Sequence, residues 1–156
     1  MVVINDHFEK YRISDALMSV YNLFWDEFSS WYLEMIKPAF QQPIDGKTYA
    51  ATIDFLDDLM RLLHPFMPFI SEEIWHHLKE RQSGESLMVC PMPQQKAFNE
   101  TLIAQFEKVK EAITFIRNIR KDRNISFREE LNLKVLKGDD GYMPLFNPVL
   151  VKMGTL

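Results

Sequence analysis

The segment SDALMSVYNLFWDEFSSWYLEMIK (residues 14–37) decides the fold class, because it holds a long helical pattern with two apolar stripes. Ser14 is predicted to be the N-cap of this helix, and Pro38 ends it. A second stripe lies about 100° around the helix from the main one. Two stripes require two packing partners, so the segment predicts a helix in the middle of a helical bundle. The main stripe comprises Leu17, Val20, Tyr21, Phe24, Phe28, Trp31 and Met35, and the second comprises Met18, Trp25, Tyr32 and Ile36.

Further helical patterns on both sides complete this bundle. Residues 5–12 have the pattern of the last turns of a preceding helix, and residues 48–63 predict a following one. Pro68 suits the first position of a helix that runs to about Arg81. We expect the polar side chains of the 48–63 helix, Asp54, Asp57, Asp58 and Arg61, to face solvent, and the apolar ones of the next helix, Phe69, Ile74, Trp75 and Leu78, to be buried.

The rest of the chain predicts a smaller second part. Residues 83–98 are irregular and predict a connecting loop, with residues 87–89 extended. Asn99 can cap a helix over residues 100–123, and Asn147-Pro148 begins a short final helix. Between them Leu131, Leu133 and Val135 alternate with polar residues, which predicts a strand. The predicted fold is therefore mainly α, with a helical bundle at 1–82, a loop at 83–98 and a small helix-plus-strand (α+β) subdomain at 99–156. Because a strand needs a partner, we expect the chain to be a fragment of a longer protein.

Composition and motifs exclude several classes of function. The chain has 156 residues, of which 47% are hydrophobic and 26% charged, as in a soluble globular domain. Cys90 is the single cysteine, which excludes an internal disulfide and a thiolate zinc site. We find no membrane-length apolar run and no signal peptide, so we expect a cytoplasmic protein without a membrane partner.

Catalytic and metal sites are not predicted either. The sequence has no Gly-x-Ser-x-Gly motif and no glycine-rich phosphate loop, so no catalytic residue is assigned. Glu73 and His76 form one Glu-x-x-His pair, but a di-metal bundle site needs a second such pair and two more glutamates.

Charge is distributed unevenly along the chain. The net charge is −4, yet residues 108–128 contain seven basic and two acidic residues, against eight and sixteen in residues 1–107. The apolar stripe of the 100–123 helix continues into Arg117 and Arg120. These two arginines either pair with buried carboxylates or contact RNA, and the basic segment as a whole is either a nucleic-acid interface or a solvated helix face. The candidate tRNA-binding residues are Arg117, Asn118, Arg120, Lys121, Arg123 and Arg128.

Three stretches resemble the C-terminal part of the valyl-tRNA synthetases, a family of class Ia aminoacyl-tRNA synthetases. They are YRISDAL with WDEFSSWYLEMIKP (residues 11–17 and 25–38), LHPFMPFISEEIW (63–75) and IRNIR (116–120) followed by Asn124-Ile125. Their order and spacing are similar to those of the family's anticodon-binding helical domain. Ser29-Ser30 depart from the Cys-Asp that the family commonly has at this place.

The resemblance implies that this chain binds tRNA, specifically tRNA-Val, and orients it for a parent enzyme that joins valine to tRNA with ATP and magnesium. It implies no cofactor in this chain, which has neither a His-Ile-Gly-His nor a Lys-Met-Ser-Lys-Ser motif. The catalytic, editing and coiled-coil parts of the family are absent from it. Two alternatives stay open, namely the same domain of an isoleucyl- or leucyl-tRNA synthetase, and a helical protein-interaction module without RNA binding.

Overall fold

The computed structural model describes residues 1–134 and 144–155, and these residues form helices and loops without a β-strand. The chain divides into two compact units, residues 1–96 and 97–156. The mainly helical fold and the helical bundle are therefore confirmed. In the first unit the helices are α1 (Val2–Glu9), α2 (Ile13–Asn22), a π-helical segment (Leu23–Leu33), α3 (Glu34–Ile36), α4 (Gly46–Leu63), α5 (Pro68–Leu78) and a 3-10 turn (Leu87–Val89). In the second unit they are α6 (Glu100–Asp122), a 3-10 turn (Pro144–Phe146) and α7 (Asn147–Gly154).

The junction between α1 and α2 is a tight turn that places the N-terminus of α2 two residues before the predicted one. Tyr11 has a φ of 55°, and the Arg12 backbone N–H donates to the His7 carbonyl at 2.8 Å. This hydrogen bond is typical of a Schellman motif at a helix C-terminus. Arg12 takes the N-cap position instead of Ser14 and forms an ion pair with Asp15 at 2.6 Å.

The middle of the predicted long helix is π-helical. In a π-helix each N–H bonds the carbonyl five residues earlier, which changes the spacing of residues that share a face. Phe24, Phe28 and Tyr32, four residues apart, consequently form one row, with ring centroids 6.1 and 5.6 Å apart. Trp25, expected on the second stripe, is 56% exposed within this segment, and Tyr21, expected on the main stripe, is 52% exposed near the end of α2. The strict α-helical period was therefore wrong here, although the element is helical as predicted.

The main core of the first unit joins the π-helical segment to α4, α5 and the 3-10 turn. Its buried members are Phe28, Leu59, Met60, Trp75 and Leu87. A second, smaller cluster comprises Ile4, Val20 and Leu62.

Two further predictions of exposure were wrong, one for Asp57 in α4 and one for Phe69 in α5. Asp57 is buried, because the guanidinium groups of Arg61 and Arg81 neutralise its carboxylate inside the fold. Phe69 is 91% exposed, because it follows the first residue of α5 and points away from the buried face of Ser71 and Trp75.

The segment after α5 packs against the bundle rather than standing apart from it. Leu87 is buried, and its backbone N–H donates to the carboxylate of Glu72 at 3.0 Å. Lys96 forms an ion pair with Asp58 at 3.4 Å. Residues 87–89 form a 3-10 turn, not the expected extended segment, because Ser86 caps the Met88 N–H.

In the second unit α6 and α7 pack together. The cap prediction is confirmed, since the Asn99 side chain accepts a hydrogen bond from the Leu102 N–H at 3.0 Å. The short final helix is also present, with Pro148 in its first turn. Residues 131–134 of the predicted strand have no regular secondary structure, because no neighbouring strand among the described residues supplies its hydrogen bonds. Val135, the last residue of that prediction, lies outside the described residues.

Candidate nucleic-acid interface

The C-terminal half of α6 carries the basic segment that the sequence singles out. On its inner face Val109, Ile113 and Ile116 are buried. The same face continues with Arg120, which lies one turn after Ile116. The apolar core along α6 therefore ends at a guanidinium group.

Arg120 has no exposed surface and is bonded on three sides to the protein backbone. Its Nη1 donates to the Ser126 carbonyl at 2.8 Å, and its Nη2 donates to the Glu129 carbonyl at 2.9 Å and to the Thr155 carbonyl. In the described part of the chain no carboxylate forms an ion pair with it. Its partners are thus carbonyl groups, not the buried carboxylate of the first alternative, and its burial leaves no surface for the RNA contact of the second.

The end of α7 explains one of these three bonds, the one to the Thr155 carbonyl. The last carbonyls of a helix lack intrahelical donors and carry partial negative charge, which suits a cation. Arg117 uses the same feature, since its Nε and Nη2 donate to the Met153 carbonyl at 3.3 and 3.2 Å. Arg117 and Arg120 together therefore hold the C-terminal end of α7 against α6.

The chain leaves α6 through a second Schellman motif. Asn124 has a φ of 54°, the left-handed conformation in which Asn is tolerated. The Asn124 N–H donates to the Lys121 carbonyl at 3.2 Å, and the Ile125 N–H donates to the Arg120 carbonyl at 2.8 Å. The Glu129 N–H then donates to the Ser126 carbonyl at 3.1 Å. The backbone of residues 120–129 is consequently held by hydrogen bonds along its length.

The remaining candidate residues lie on the surface of the last turns of α6 and of the loop that follows it. Asn118, Lys121, Arg123 and Arg128 are all exposed. Within residues 1–134 and 144–155, the side chains of Lys121, Arg123 and Arg128 form no ion pair. By contrast, exposed cations of the first unit such as Lys10, Lys79 and Lys96 are paired with aspartates. The cationic side chains of Lys121, Arg123 and Arg128 can donate hydrogen bonds to the oxygens of an anion.

The first unit has an exposed aromatic pair, Tyr21 and Trp25, whereas the sequence favoured the core over base stacking for Trp25. The rings of Tyr21 and Trp25 stack with centroids 6.4 Å apart and planes 10° apart, and Trp25 is 56% exposed. The sequence signal for its exposure is that Trp25 belongs to the second stripe, which lies about 100° around the helix from the main stripe. Trp75, by contrast, is 1% exposed and belongs to the core, as expected.

The histidine and acidic residues of α5 pair with one another along the helix. His76 lies 3.2 Å from Glu72, and His77 lies 3.2 Å from Glu73. The described residues contain no group of three potential metal ligands. No helix among them is long and apolar enough to span a membrane.

Comparison with known proteins identifies the class. Residues 2–136 match the family model of the anticodon-binding domain of tRNA ligases, and the chain belongs to this family.

The chain is also similar to valine–tRNA ligases from several bacteria. The chain is 55% identical over 155 residues to the valine–tRNA ligase of Phocaeicola vulgatus and 50% identical over 153 residues to that of Porphyromonas gingivalis. Each alignment covers 98% of this chain and 17% of the relative. A more distant valine–tRNA ligase, from Pseudothermotoga lettingae, is 38% identical over 125 residues, which are 79% of this chain and 14% of that protein. The chain thus spans about a sixth of the length of these relatives.

Proposed function

We propose that this chain is the anticodon-binding domain of a valine–tRNA ligase and that it binds tRNA through the turn at the end of α6. The observation that carries the proposal is the set of exposed cations, Lys121, Arg123 and Arg128, which have no ion-pair partner in the described part of the chain. Unpaired Lys and Arg side chains are the groups that neutralise RNA phosphates. The names of the relatives supply the kind of nucleic acid, a tRNA.

The candidate residues differ in role. Lys121 and Arg123 at the helix end and Arg128 in the following loop would contact phosphates, and Asn118 would add a hydrogen bond. Arg117 is exposed but already bonded to the Met153 carbonyl, so it would serve both the fold and the RNA. Arg120 is buried and would make no direct contact.

The reaction itself belongs to the longer protein in this proposal. Joining valine to tRNA-Val would take place in the cytoplasm and would use ATP and magnesium at catalytic parts outside this chain, together with editing and coiled-coil parts. The relatives named above support the valyl branch over the isoleucyl and leucyl alternatives. The division into a bundle at 1–82, a connector at 83–98 and an α+β subdomain at 99–156 remains part of the proposal.

The experiment is a filter-binding titration of the chain with tRNA-Val at several salt concentrations. The double variant Lys121→Gln with Arg123→Gln should make the negative slope of log K against log salt shallower by about 1.4–1.8. Each lost phosphate contact removes about 0.7–0.9 from the magnitude of the slope. The melting temperature should change little, because both side chains are exposed.

Lys47→Gln is the matched control, because Lys47 is an exposed lysine of the acidic first unit. It should leave the salt slope unchanged. An unchanged slope for the double variant would reject this interface, and the absence of any salt-dependent binding would favour a protein-interaction module.

A further inference from the structure

Arg120 belongs to the turn at the end of α6 (residues 120–129), but it is buried and therefore not accessible to a ligand. Its backbone carbonyl accepts the Ile125 N–H at 2.8 Å, and its side chain bonds the Ser126 and Glu129 carbonyls on the far side of the loop. One residue therefore fixes both ends of the segment that carries Arg123 and Arg128.

The same guanidinium also reaches the end of α7 through the Thr155 carbonyl. Arg120 is fully buried, and among the described residues its side chain bonds only carbonyl groups. Burying a charge costs desolvation energy, which an apolar side chain of similar size would avoid. Filling space in the core therefore does not explain an arginine at this position. What three backbone bonds provide is a defined loop conformation. Binding costs free energy when a flexible loop must become ordered, so a loop that is already fixed binds its ligand more tightly.

We infer that Arg120 is a positioning residue for RNA binding: it holds the 123–129 loop in the conformation in which Arg123 and Arg128 meet two phosphates of the RNA strand together. This inference rests on the proposed function, because it needs the exposed cations to be phosphate contacts. It adds that their affinity depends on a buried group that never touches the RNA.

The test is a double-mutant cycle on the full chain, with tRNA-Val binding measured at several salt concentrations and below the melting temperature of every variant. Arg120→Lys keeps the charge but cannot bond three carbonyls at once. In the otherwise unchanged chain it should weaken binding about five- to tenfold near 0.1 M salt, about the loss of one phosphate contact. In a chain that already carries Arg123→Gln and Arg128→Gln, Arg120→Lys should cause no further loss. A role limited to stability would instead weaken binding equally in both backgrounds.

The outcomes separate the two proposals. If Arg123→Gln with Arg128→Gln leaves the salt slope unchanged, the proposed interface fails. If that pair makes the slope shallower but Arg120→Lys acts additively with it, or has no effect in either background, the positioning role is wrong while the interface stands.

Should Arg120→Lys fail to fold, the same cycle is run with Asn124→Val. Asn124 has a left-handed backbone conformation that valine disfavours, so this variant disturbs the turn without changing its charge. If Asn124→Val weakens binding by the same factor with and without Arg123 and Arg128, the inference is overturned.

Discussion

At the scale of single residues, buried charge is the strongest feature of the first unit. Asp57 lies 2.8 Å from Nη2 of Arg61 and 2.5 Å from Nη2 of Arg81. The Arg81 guanidinium in turn lies 3.6 Å above the ring of Trp75, the most deeply buried tryptophan. Burial raises the pKa of Asp57, but the hydrogen bond from Arg81 and the charge of Arg61 outweigh this effect and hold the pKa below its ordinary value of 3.8. The carboxylate therefore stabilises the fold only while it is ionised.

Asp57→Asn should lower the free energy of unfolding by about 3 kcal/mol at neutral pH, because two partly buried guanidinium groups lose their buried counter-ion. Since the folded pKa is depressed, this contribution is complete above the unfolded pKa of about 4 and is lost as the pH falls through the folded value. Urea unfolding of both proteins from pH 3 to pH 8 measures it. A stability difference that stays constant down to pH 3 would contradict the ion-pair explanation.

Trp75→Ala should cost about 3–5 kcal/mol, because it removes a large buried side chain and the contact with Arg81. Trp25→Ala is the matched control, and its cost should stay below about 1 kcal/mol because the ring is half exposed. Half-buried Trp31 should fall between them. Denaturant midpoints provide the comparison, and equal costs for Trp25 and Trp75 would refute the assignment of Trp75 to the core.

At the scale of elements, the π-helical segment Leu23–Leu33 is the unusual feature. Its two serines donate from Oγ to carbonyls five residues earlier, Ser29 to Phe24 and Ser30 to Trp25, each at 2.9 Å. These carbonyls are the acceptors that a π-helix uses, so the serine hydroxyls add to its own hydrogen bonds.

Ser29→Ala should lower the free energy of unfolding by about 1 kcal/mol, because its half-buried hydrogen bond is lost without replacement by water. Ser30→Ala, at an exposed position with the same hydrogen-bond geometry, should cost less than about 0.5 kcal/mol. Chemical denaturation followed by circular dichroism distinguishes the two. If Ser30→Ala is the more destabilising change, the serines do not act through burial of these bonds.

The N-terminus of α6 provides a second test at this scale. Asn99→Ala should destabilise the second unit by about 1 kcal/mol, because the Leu102 N–H loses its acceptor. Asn99→Asp should retain the stability, since a carboxylate accepts the same bond and is favoured at the positive end of the helix dipole. The loss of helical signal in thermal melts reports the effect. Equal melting of the alanine and wild-type chains would show that the cap is dispensable.

At the scale of the whole molecule, the two units differ in net charge and in the side chains that they expose. The first unit contains eight basic and fourteen acidic residues, and the second contains ten and eight. The stacked rings of Tyr21 and Trp25 are exposed on the first unit, while the exposed cations Lys121, Arg123 and Arg128 belong to the second. Neither unit shows, among its described residues, a cluster of acidic and histidine side chains suited to a metal.

We expect the purified chain to catalyse no valine-dependent exchange of pyrophosphate with ATP, because it lacks the two class I motifs that the resemblance associates with nucleotide binding. A standard exchange assay with a mock-purified sample as background measures this. Exchange above that background, dependent on valine, would place catalytic residues within this chain.

Much of the local structure follows from the sequence alone, because it depends on neighbours in the chain. Asn99 caps α6, Pro68 begins α5 and Pro148 lies in the first turn of α7, because a capping group and a fixed proline φ act within one helical turn. The predicted cap of α7, Asn147, is instead its first residue, after the N-cap Phe146. The family could also be recognised from three short stretches, since their order along the chain is itself a sequence property. The basic segment 108–128 was evident from charge alone.

Only the tertiary structure decided which of these basic residues can meet a ligand. Arg120 and Arg123 are three residues apart and chemically identical, yet the first is buried on backbone carbonyls of residues 126, 129 and 155, while the second is exposed. Asp57 was expected in solvent and lies buried because Arg81, 24 residues away, reaches it. The physical reason is common to both cases: the free energy of a buried charge depends on partners brought from distant parts of the chain, and periodicity within one helix carries no record of them.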